Sequence, residues 1–320
     1  MTVLVLAELD GDSVADPSLR ALTLASDLSQ PLAAVVFTAG QELPAPAAEQ
    51  LATAGVADVH AVNLPAYAPA AWARVLAELS ESGAVSAVVA AATDRGSEVL
   101  AHLGAMTGLP VAANCVSARA AEPGRWELVR QRWAGSLLED AELEAALALL
   151  TVAADAAVAR PGTKATASTV HLLRPGIPAE DMRVRAAESA ERGGGVSLAT
   201  ARVVVGGGRG VGGPDGFAPL EELARLLGGV LGVSRVVTSQ GWRPHRQQVG
   251  QTGTRISPEL YLACGISGAI QHMAGCLSAK HIVAVNTDPD APIIAHADYA
   301  VIGDLSQVIP ALVEALRARG

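Results

Sequence analysis

The sequence predicts an α/β protein: an N-terminal domain with a doubly wound, mostly parallel sheet, then a C-terminal α/β domain with a parallel sheet of its own. Three observations carry this. Short β-rich runs alternate with amphipathic stretches through the first hundred residues, which favours a parallel sheet over hairpins. Val85–Ala92 is a near-continuous apolar run, as a strand covered on both faces requires. A polar, glycine-rich break at 186–197 separates this region from a second series of strand-like runs.

In order, Thr2–Ala7 reads as a strand. Pro17–Leu28 reads as a helix, with Leu19, Leu22, Leu24 and Leu28 at helical spacing. Leu32–Phe37 and Val56–Val62 are strands flanking a helix at Ala45–Ala54 that Gly55 ends. Ala68–Leu79 is a helix with Trp72, Val75, Leu76 and Leu79 on one face. Asp94 is the expected N-cap of a helix over Gly96–Met106, and Gly108 its stop. Val111–Ser117, Trp126–Trp133 and Leu147–Ala153 read as strands that extend the sheet or form a small antiparallel layer. The expected division is 1–190 for the first domain, 191–199 for a linker and 200–320 for the second.

Composition narrows the function classes. Half of the 320 residues are hydrophobic but only 3% are aromatic, so aliphatic and Ala packing must build the cores. No apolar run approaches the roughly 18 residues of a membrane span, so no membrane insertion is expected. The start, Met1-Thr2-Val3-Leu4-Val5-Leu6-Ala7-Glu8, lacks a basic region and reads as a strand rather than a signal peptide. Cys115, Cys264 and Cys276 have no metal-ligand spacing, and an odd count without an export signal implies reduced thiols and a cytoplasmic location. A net charge of −9 with two lysines, Lys164 and Lys280, argues against nucleic-acid binding.

The second half carries the chemistry. Gly206-Gly207-Gly208-Arg209-Gly210-Val211-Gly212-Gly213 follows the strand Ala201–Val205. Glycines there let backbone approach a ligand and aim N–H groups at an anion, and Arg209 suits phosphate. Residues 208–213 fit G-x-G-x-x-G, but the next helix waits until Pro219, unlike a Rossmann loop, and a flexible turn accounts for the same string. Gln248-Val249-Gly250-Gln251-Thr252-Gly253 can hydrogen-bond a polar heteroaromatic edge, or serve as a surface turn. Leu260–Cys264 is an apolar strand, Gly265 its turn, and Ser267-Gly268-Ala269 the expected start of a helix through Ile270, Gln271, His272 and Met273. Such a turn leaves room for a diphosphate at a helix N-terminus. Ile282–Asn286 and Ala300–Ile302 end in Asn286 and in Gly303-Asp304, before a helix over Leu305–Arg319. Several strands thus end in small or polar residues around one crevice, where open α/β sheets bind ligands.

Residues from about 201 to 318 resemble the alpha subunit of the electron transfer flavoproteins. The resemblance rests on QVGQTG at 248–253, PELYLACGISGAIQHMAG at 258–275, IVAVN at 282–286 and DPDAPI at 288–293, in that order and spacing. It implies a non-covalently bound FAD, a beta-subunit partner in a heterodimer, and no substrate conversion. It also implies shuttling of electrons from flavoprotein dehydrogenases, such as the acyl-CoA dehydrogenases of fatty acid beta-oxidation, to a membrane quinone reductase. By position it implies that Arg209 touches the flavin or its phosphates, and that Ser234 and Arg235 lie at the flavin–diphosphate region. Gln248, Val249, Gly250, Gln251 and Thr252 would line the flavin and ribityl chain. Ser267, Gly268, Ala269, Ile270, Gln271 and His272 would bind diphosphate and ribityl, with His272 reaching the pyrimidine edge. Asn286 would hold the adenosine part, and Asp304 with Leu305 the adenine end. The chain departs from the family at Ser239, where an acid is common, and at His245 and Arg246, where Asn and Asp are usual. An NAD-binding α/β enzyme domain, an assembly module, and a paralogue serving nitrogen fixation or electron bifurcation are the competing expectations.

Overall fold

A computed structural model describes the chain except residues 29, 41, 82–83, 136, 155, 163–167, 187–196, 200 and 319–320. It forms two compact units, Met1–Glu191 and Arg192–Gly320. Most of the expected linker, 191–196, lies outside the described residues, as does Lys164.

Among the described residues, the first unit is built on a nine-stranded sheet with a separate two-stranded hairpin. In chain order its elements are β1 (Thr2–Leu6), a short hairpin of β2 (Leu9–Asp10) and β3 (Ser13–Val14), α1 (Asp16–Ser26), β4 (Leu32–Thr38), α2 (Ala45–Thr53), β5 (Val56–Asn63), α3 (Pro69–Ser80), β6 (Val85–Ala91), α4 (Asp94–Thr107), β7 (Val111–Glu122), β8 (Arg125–Arg132), β9 (Leu137–Glu144), β10 (Ala148–Val152) and β11 (Thr169–Leu173). The sheet order is β11-β5-β4-β1-β6-β10-β7-β8-β9. All pairings from β11 to β7 are parallel, and β7-β8-β9 is antiparallel. The alternation along β1 explains the double winding. Val3 and Val5 meet Ala21, Leu22 and Leu51 of α1 and α2 in one core, while Leu4 and Leu6 meet Trp72, Leu76, Val99 and Leu103 of α3 and α4 in the other. With few aromatics available, Phe37 stacks on Trp72 with ring centroids 4.0 Å apart and anchors the second core.

The fold class is as predicted, and several local expectations change. Thr93, not Asp94, caps α4: its hydroxyl accepts from the Gly96 N–H at 2.9 Å, whereas Gly108 ends the helix in the left-handed conformation as expected. The runs after 110 do both things anticipated of them, since β10 and β7 extend the parallel sheet and β8 folds back antiparallel. Strands β9 and β11 escape the sequence reading because their side chains are mostly exposed, so their hydrophobic pattern is weak.

The second unit contains β12 (Val203–Gly207), α5 (Ala218–Leu226), β13 (Val230–Val233), α6 (Arg235–Ser239), β14 (Leu260–Cys264), α7 (Ile270–Met273), β15 (His281–Asn286), β16 (Tyr299–Ile302) and α8 (Leu305–Arg317). Its sheet, β13-β12-β14-β15-β16, is wholly parallel. One face packs on α5 and α8 through Leu220, Leu223, Ile309 and Val313. The other is covered by less regular chain, which supplies Val249, Ile256, Ile266, Met273 and Ile293.

Candidate functional site

Because all five strands of the second unit run the same way, their carboxyl ends share one edge. The chain leaves β12 for β13 on one side and β14 for β15 on the other, so the order reverses between β12 and β14. The crevice outside a parallel sheet opens at such a point. Backbone bonds continue the ladder past the strand ends. Ser234 N–H donates to Gly207 O at 3.0 Å, Gly208 N–H to Cys264 O at 2.9 Å, Gly265 N–H to Val285 O at 2.9 Å and Gly303 N–H to Asn286 O at 3.0 Å. Arg209, Ser234, Arg235, Ser267, Asn286, Asp304 and Leu305 are thereby gathered at one edge.

At the reversal the glycines act differently from the sequence expectation. A Cβ on Gly208 would lie 2.1 Å from the Gly265 carbonyl oxygen, and one on Gly210 2.7 Å from the Gly265 Cα. Gly210 N–H donates to Gly265 O at 3.0 Å, Val211 N–H to Gly208 O and Gly212 N–H to Arg209 O. These glycines let two loops touch each other, and the N–H groups of 208, 210, 211 and 212 are committed within the protein. What the loop offers an anion is the Arg209 guanidinium, which is exposed and makes no ion pair among the described residues. Arg235, the first residue of α6, is likewise exposed and unpaired, and the Ser234 hydroxyl makes no cap bond.

The 248–253 segment is a braced loop. Val249 N–H donates to Val233 O at 2.9 Å, Thr254 N–H to Gln248 O at 2.7 Å and Gln251 N–H to Gln271 O at 2.8 Å. The buried Gln248 side chain accepts from Thr238 Oγ1 at 2.6 Å and donates to Thr252 Oγ1 at 3.0 Å. Val249 and Gly250 are inside, and a Cβ on Gly275 would lie 2.4 Å from the Gly250 Cα, so Gly275 seats the loop against α7. Gln251 and Thr252 stand exposed at its rim.

The segment 265–273 needs correction. Ser267-Gly268-Ala269 is not a helix start: α7 begins at Ile270 and is four residues long, with Ala269 as its N-cap. So short a helix carries little macrodipole. Gly268 has a φ of +80° and packs on Ile293, whose N–H donates to Ser267 O at 3.1 Å. Ser267, Ala269, Ile270 and Gln271 are exposed, while His272 is turned inward. Its Nε2 lies 2.8 Å from the Tyr261 hydroxyl, and its Nδ1 is buried without a completed hydrogen bond. Burial lowers its pKa to about 4, with the Val249 backbone acting in the opposite direction, so the ring is neutral at pH 7. Tyr261 was not singled out from sequence, although it is the only polar side chain in an otherwise apolar strand besides the Cys264 thiol. Its place depends on Gly206, where a Cβ would lie 2.3 Å from the hydroxyl.

Asn286 ties two loops: its Nδ2 donates to Ile266 O at 2.9 Å, and its Oδ1 accepts from Asp288 N–H at 3.1 Å. Asp304 caps α8, accepting from Ser306 N–H at 2.8 Å, and that bond holds its carboxyl below the usual range. Leu305 reaches towards Gly265. Among the described residues no cluster of His, Cys, Asp and Glu could hold a metal ion, and no helix is long and apolar enough to cross a membrane.

Residues 197–277 match the family model described as the electron transfer flavoprotein FAD-binding domain, and residues 3–175 match the electron transfer flavoprotein domain. The chain is 39% identical over 320 residues to the electron transfer flavoprotein subunit alpha of Mycobacterium leprae (strain TN), covering 99% of this chain and 98% of that one. It is 33% identical over 321 residues to the subunit alpha of Paracoccus denitrificans, covering 98% and 99%. It is 31% identical over 334 residues to the mitochondrial subunit alpha of Arabidopsis thaliana, covering 99% and 90%.

Proposed function

The chain belongs to the electron transfer flavoprotein alpha-subunit family, and on that premise we propose that it holds one FAD across the strand ends of its second unit and works as a redox carrier. The observation that carries this is the convergence of unpaired cations and exposed polar groups on one edge of a parallel sheet. An extended anionic dinucleotide needs fixed positive charge near its diphosphate and hydrogen-bonding groups along its length. Arg209 and Arg235 supply the charge, and the Ser234 and Ser267 hydroxyls the shorter-range contacts. Gln251 and Thr252, on the braced loop, would face the redox ring, and Asn286, Asp304 and Leu305 would hold the far end. FAD, when bound, supplies the redox chemistry.

The protein's own part is positioning and electrostatics. Gln248 fixes the Thr252 hydroxyl from beneath, so the rim of the loop is set before any ligand arrives. The exposed Arg235 guanidinium brings positive charge to the edge, which favours electron-rich states of a nearby ring. His272 is held from inside by Tyr261 and, being neutral, neither takes up nor releases a proton near pH 7. We further read the chain as one half of a heterodimer with a beta subunit, located in the cytoplasm. It would take electrons from flavoprotein dehydrogenases such as acyl-CoA dehydrogenases and deliver them to a membrane quinone reductase, converting no substrate itself. In this reading residues 1–190 serve partner contacts, 191–199 link, and 200–320 bind the cofactor.

Co-expression with the beta subunit, followed by acid release and chromatography of the cofactor, tests the core of it. FAD should dominate at one per heterodimer. Stoichiometric NAD, or no cofactor, would overturn the reading.

A further inference from the structure

Arg243 lies between α6 and the turn that leads into the 248–253 loop, and its side chain is only 22% exposed. The guanidinium lies over the Phe217 ring, with Cζ 4.8 Å from the centroid, and its Nη1 is 3.0 Å from Glu221 Oε1. Its Nε is buried and makes no hydrogen bond among the described residues. The aromatic face therefore holds the inner part of the group, and the half-exposed carboxylate holds the outer part. A planar guanidinium can lie on a ring while it pairs at its edge, whereas an ammonium has no plane to stack.

Both partners sit at the start of α5. Phe217 is fully buried directly under the end of β12, where a Cβ on Gly207 would lie 2.5 Å from its Cε1. Gly207 O in turn accepts from Ser234 N–H at 3.0 Å, which fixes the entry to α6. At the other end of α6 the backbone bonds are local: Gly241 N–H donates to Thr238 O at 3.0 Å and Trp242 N–H to Val237 O at 3.1 Å. Arg243 joins that end to α5 across space. The same end carries Thr238, whose hydroxyl donates to Gln248 Oε1 at 2.6 Å, and Gln248 Nε2 donates to Thr252 Oγ1 at 3.0 Å.

We propose that Arg243 is a positioning residue for the cofactor edge. By holding the end of α6 against Phe217 and Glu221, it sets the Thr238–Gln248–Thr252 brace and, through it, the place of the Thr252 hydroxyl. This rests on the proposed reading in which that hydroxyl faces the redox ring. An exposed ion pair alone would be a poor clamp, because solvent replaces it at little cost. The stack has a fixed seat, since the ring beneath it is locked under β12 and cannot follow the guanidinium outward.

The test uses the full chain co-purified with its beta subunit. Arg243→Met removes both holds, Arg243→Lys keeps the charge but loses the stack, Glu221→Gln keeps the stack, and Thr252→Val removes the hydroxyl at the end of the brace. Three quantities are measured on each protein: FAD affinity by flavin fluorescence, midpoint potential at saturating FAD, and amide exchange over 248–254 in protein stripped of cofactor. Both Arg243 variants should bind FAD about tenfold more weakly, shift the potential and speed exchange over 248–254 by about tenfold. Glu221→Gln should change the affinity by no more than about fivefold, the ceiling for an exposed ion pair. In the Thr252→Val background Arg243→Met should weaken FAD no further and leave the potential where Thr252→Val puts it, because one group acts through the other. If Arg243→Met does not fold, Arg243→Lys carries the same comparison. Effects that simply add in the double variant, a wild-type potential in both Arg243 variants, unchanged amide exchange, or an equal loss in Glu221→Gln each overturn the assignment. A wild type that carries no FAD, while its Arg243 variants still loosen 248–254, sinks the redox reading alone.

Discussion

The Tyr261 hydroxyl and His272 Nε2 lie 2.8 Å apart in the interior of the second unit, with both side chains cut off from solvent. The Val249 backbone beside the ring fixes the direction of this bond, because it raises the His272 pKa and so favours a proton on Nδ1. The Tyr261 hydroxyl has no other acceptor among the described residues, so if Nε2–H were the donor the buried phenolic proton would be stranded. Tyr261 therefore donates, and the His272 proton sits on Nδ1. Ring-nitrogen chemical shifts should show Nδ1 protonated at pH 7. Tyr261→Phe should give a mixture of tautomers and cost about 1–3 kcal/mol, because it leaves Nε2 without its donor. A wild-type ring protonated at Nε2 contradicts this.

The same histidine predicts a pH dependence. Its folded pKa, about 4, lies below the ordinary value of 6.5. Between these limits the unfolded chain binds a proton that the folded chain refuses. The contribution is thus fully present above pH 6.5 and is lost as pH falls towards 4, in total about 2–4 kcal/mol. The urea midpoint should fall between pH 7.5 and pH 5, and His272→Gln should flatten that slope. An unchanged slope would place the titration elsewhere.

The glycine-rich loop gives a graded series. Gly208→Ala and Gly210→Ala drive a methyl into the Gly265 backbone, which cannot yield as a side chain can. Each should lower the melting temperature markedly and deplete FAD together with it. Gly212 has a φ of +89° but open space around it, so Gly212→Ala should cost only about 1 kcal/mol of strain. Gly213 is extended, with φ 167°, and unobstructed, so Gly213→Ala should be neutral. Equal losses at 208 and 213 would mean that the loops do not meet as described.

Asn286→Ala removes a donor to Ile266 and an acceptor for Asp288 at once. Two loops that border the crevice are then untied. FAD affinity should fall by about tenfold or more, as expected for two lost buried or half-buried bonds of about 1 kcal/mol each. Asn286→Asp keeps the acceptor but sets a carboxylate against the Ile266 carbonyl, and it should be no better than Ala. Full affinity in either variant, by flavin fluorescence titration, would remove Asn286 from the site.

Burial pushes the thiols of Cys115, Cys264 and Cys276 up to about 12. The reactive thiolate is then negligible at pH 8. All three should resist a thiol reagent in the native protein and react together on unfolding. Rapid labelling of one in the native state would show that its unit opens locally.

The sequence by itself determined the strand–helix alternation, the parallel sheets and the places where strands end, because these depend on periodicity and on residues such as Gly108 whose conformation is intrinsic. It also determined the family, through loop strings whose order is too specific to arise from packing alone. Tertiary structure decided what those residues do. Whether a glycine in 206–213 makes room for a ligand or for another loop depends on what stands opposite, and Gly265 is 55 residues further on from Gly210 in the chain. Whether His272 looks outward or inward depends on α7 starting at Ile270 rather than Ser267, which the contact of Gly268 with Ile293 enforces. Exposed strands such as β9 and β11 were hidden for the same reason: pairing holds them in the sheet, and pairing leaves no pattern in the side chains. Local sequence encodes dihedral preference and burial period; the partners across space, which convert a small residue into a contact or a polar one into a brace, exist only once the chain has folded.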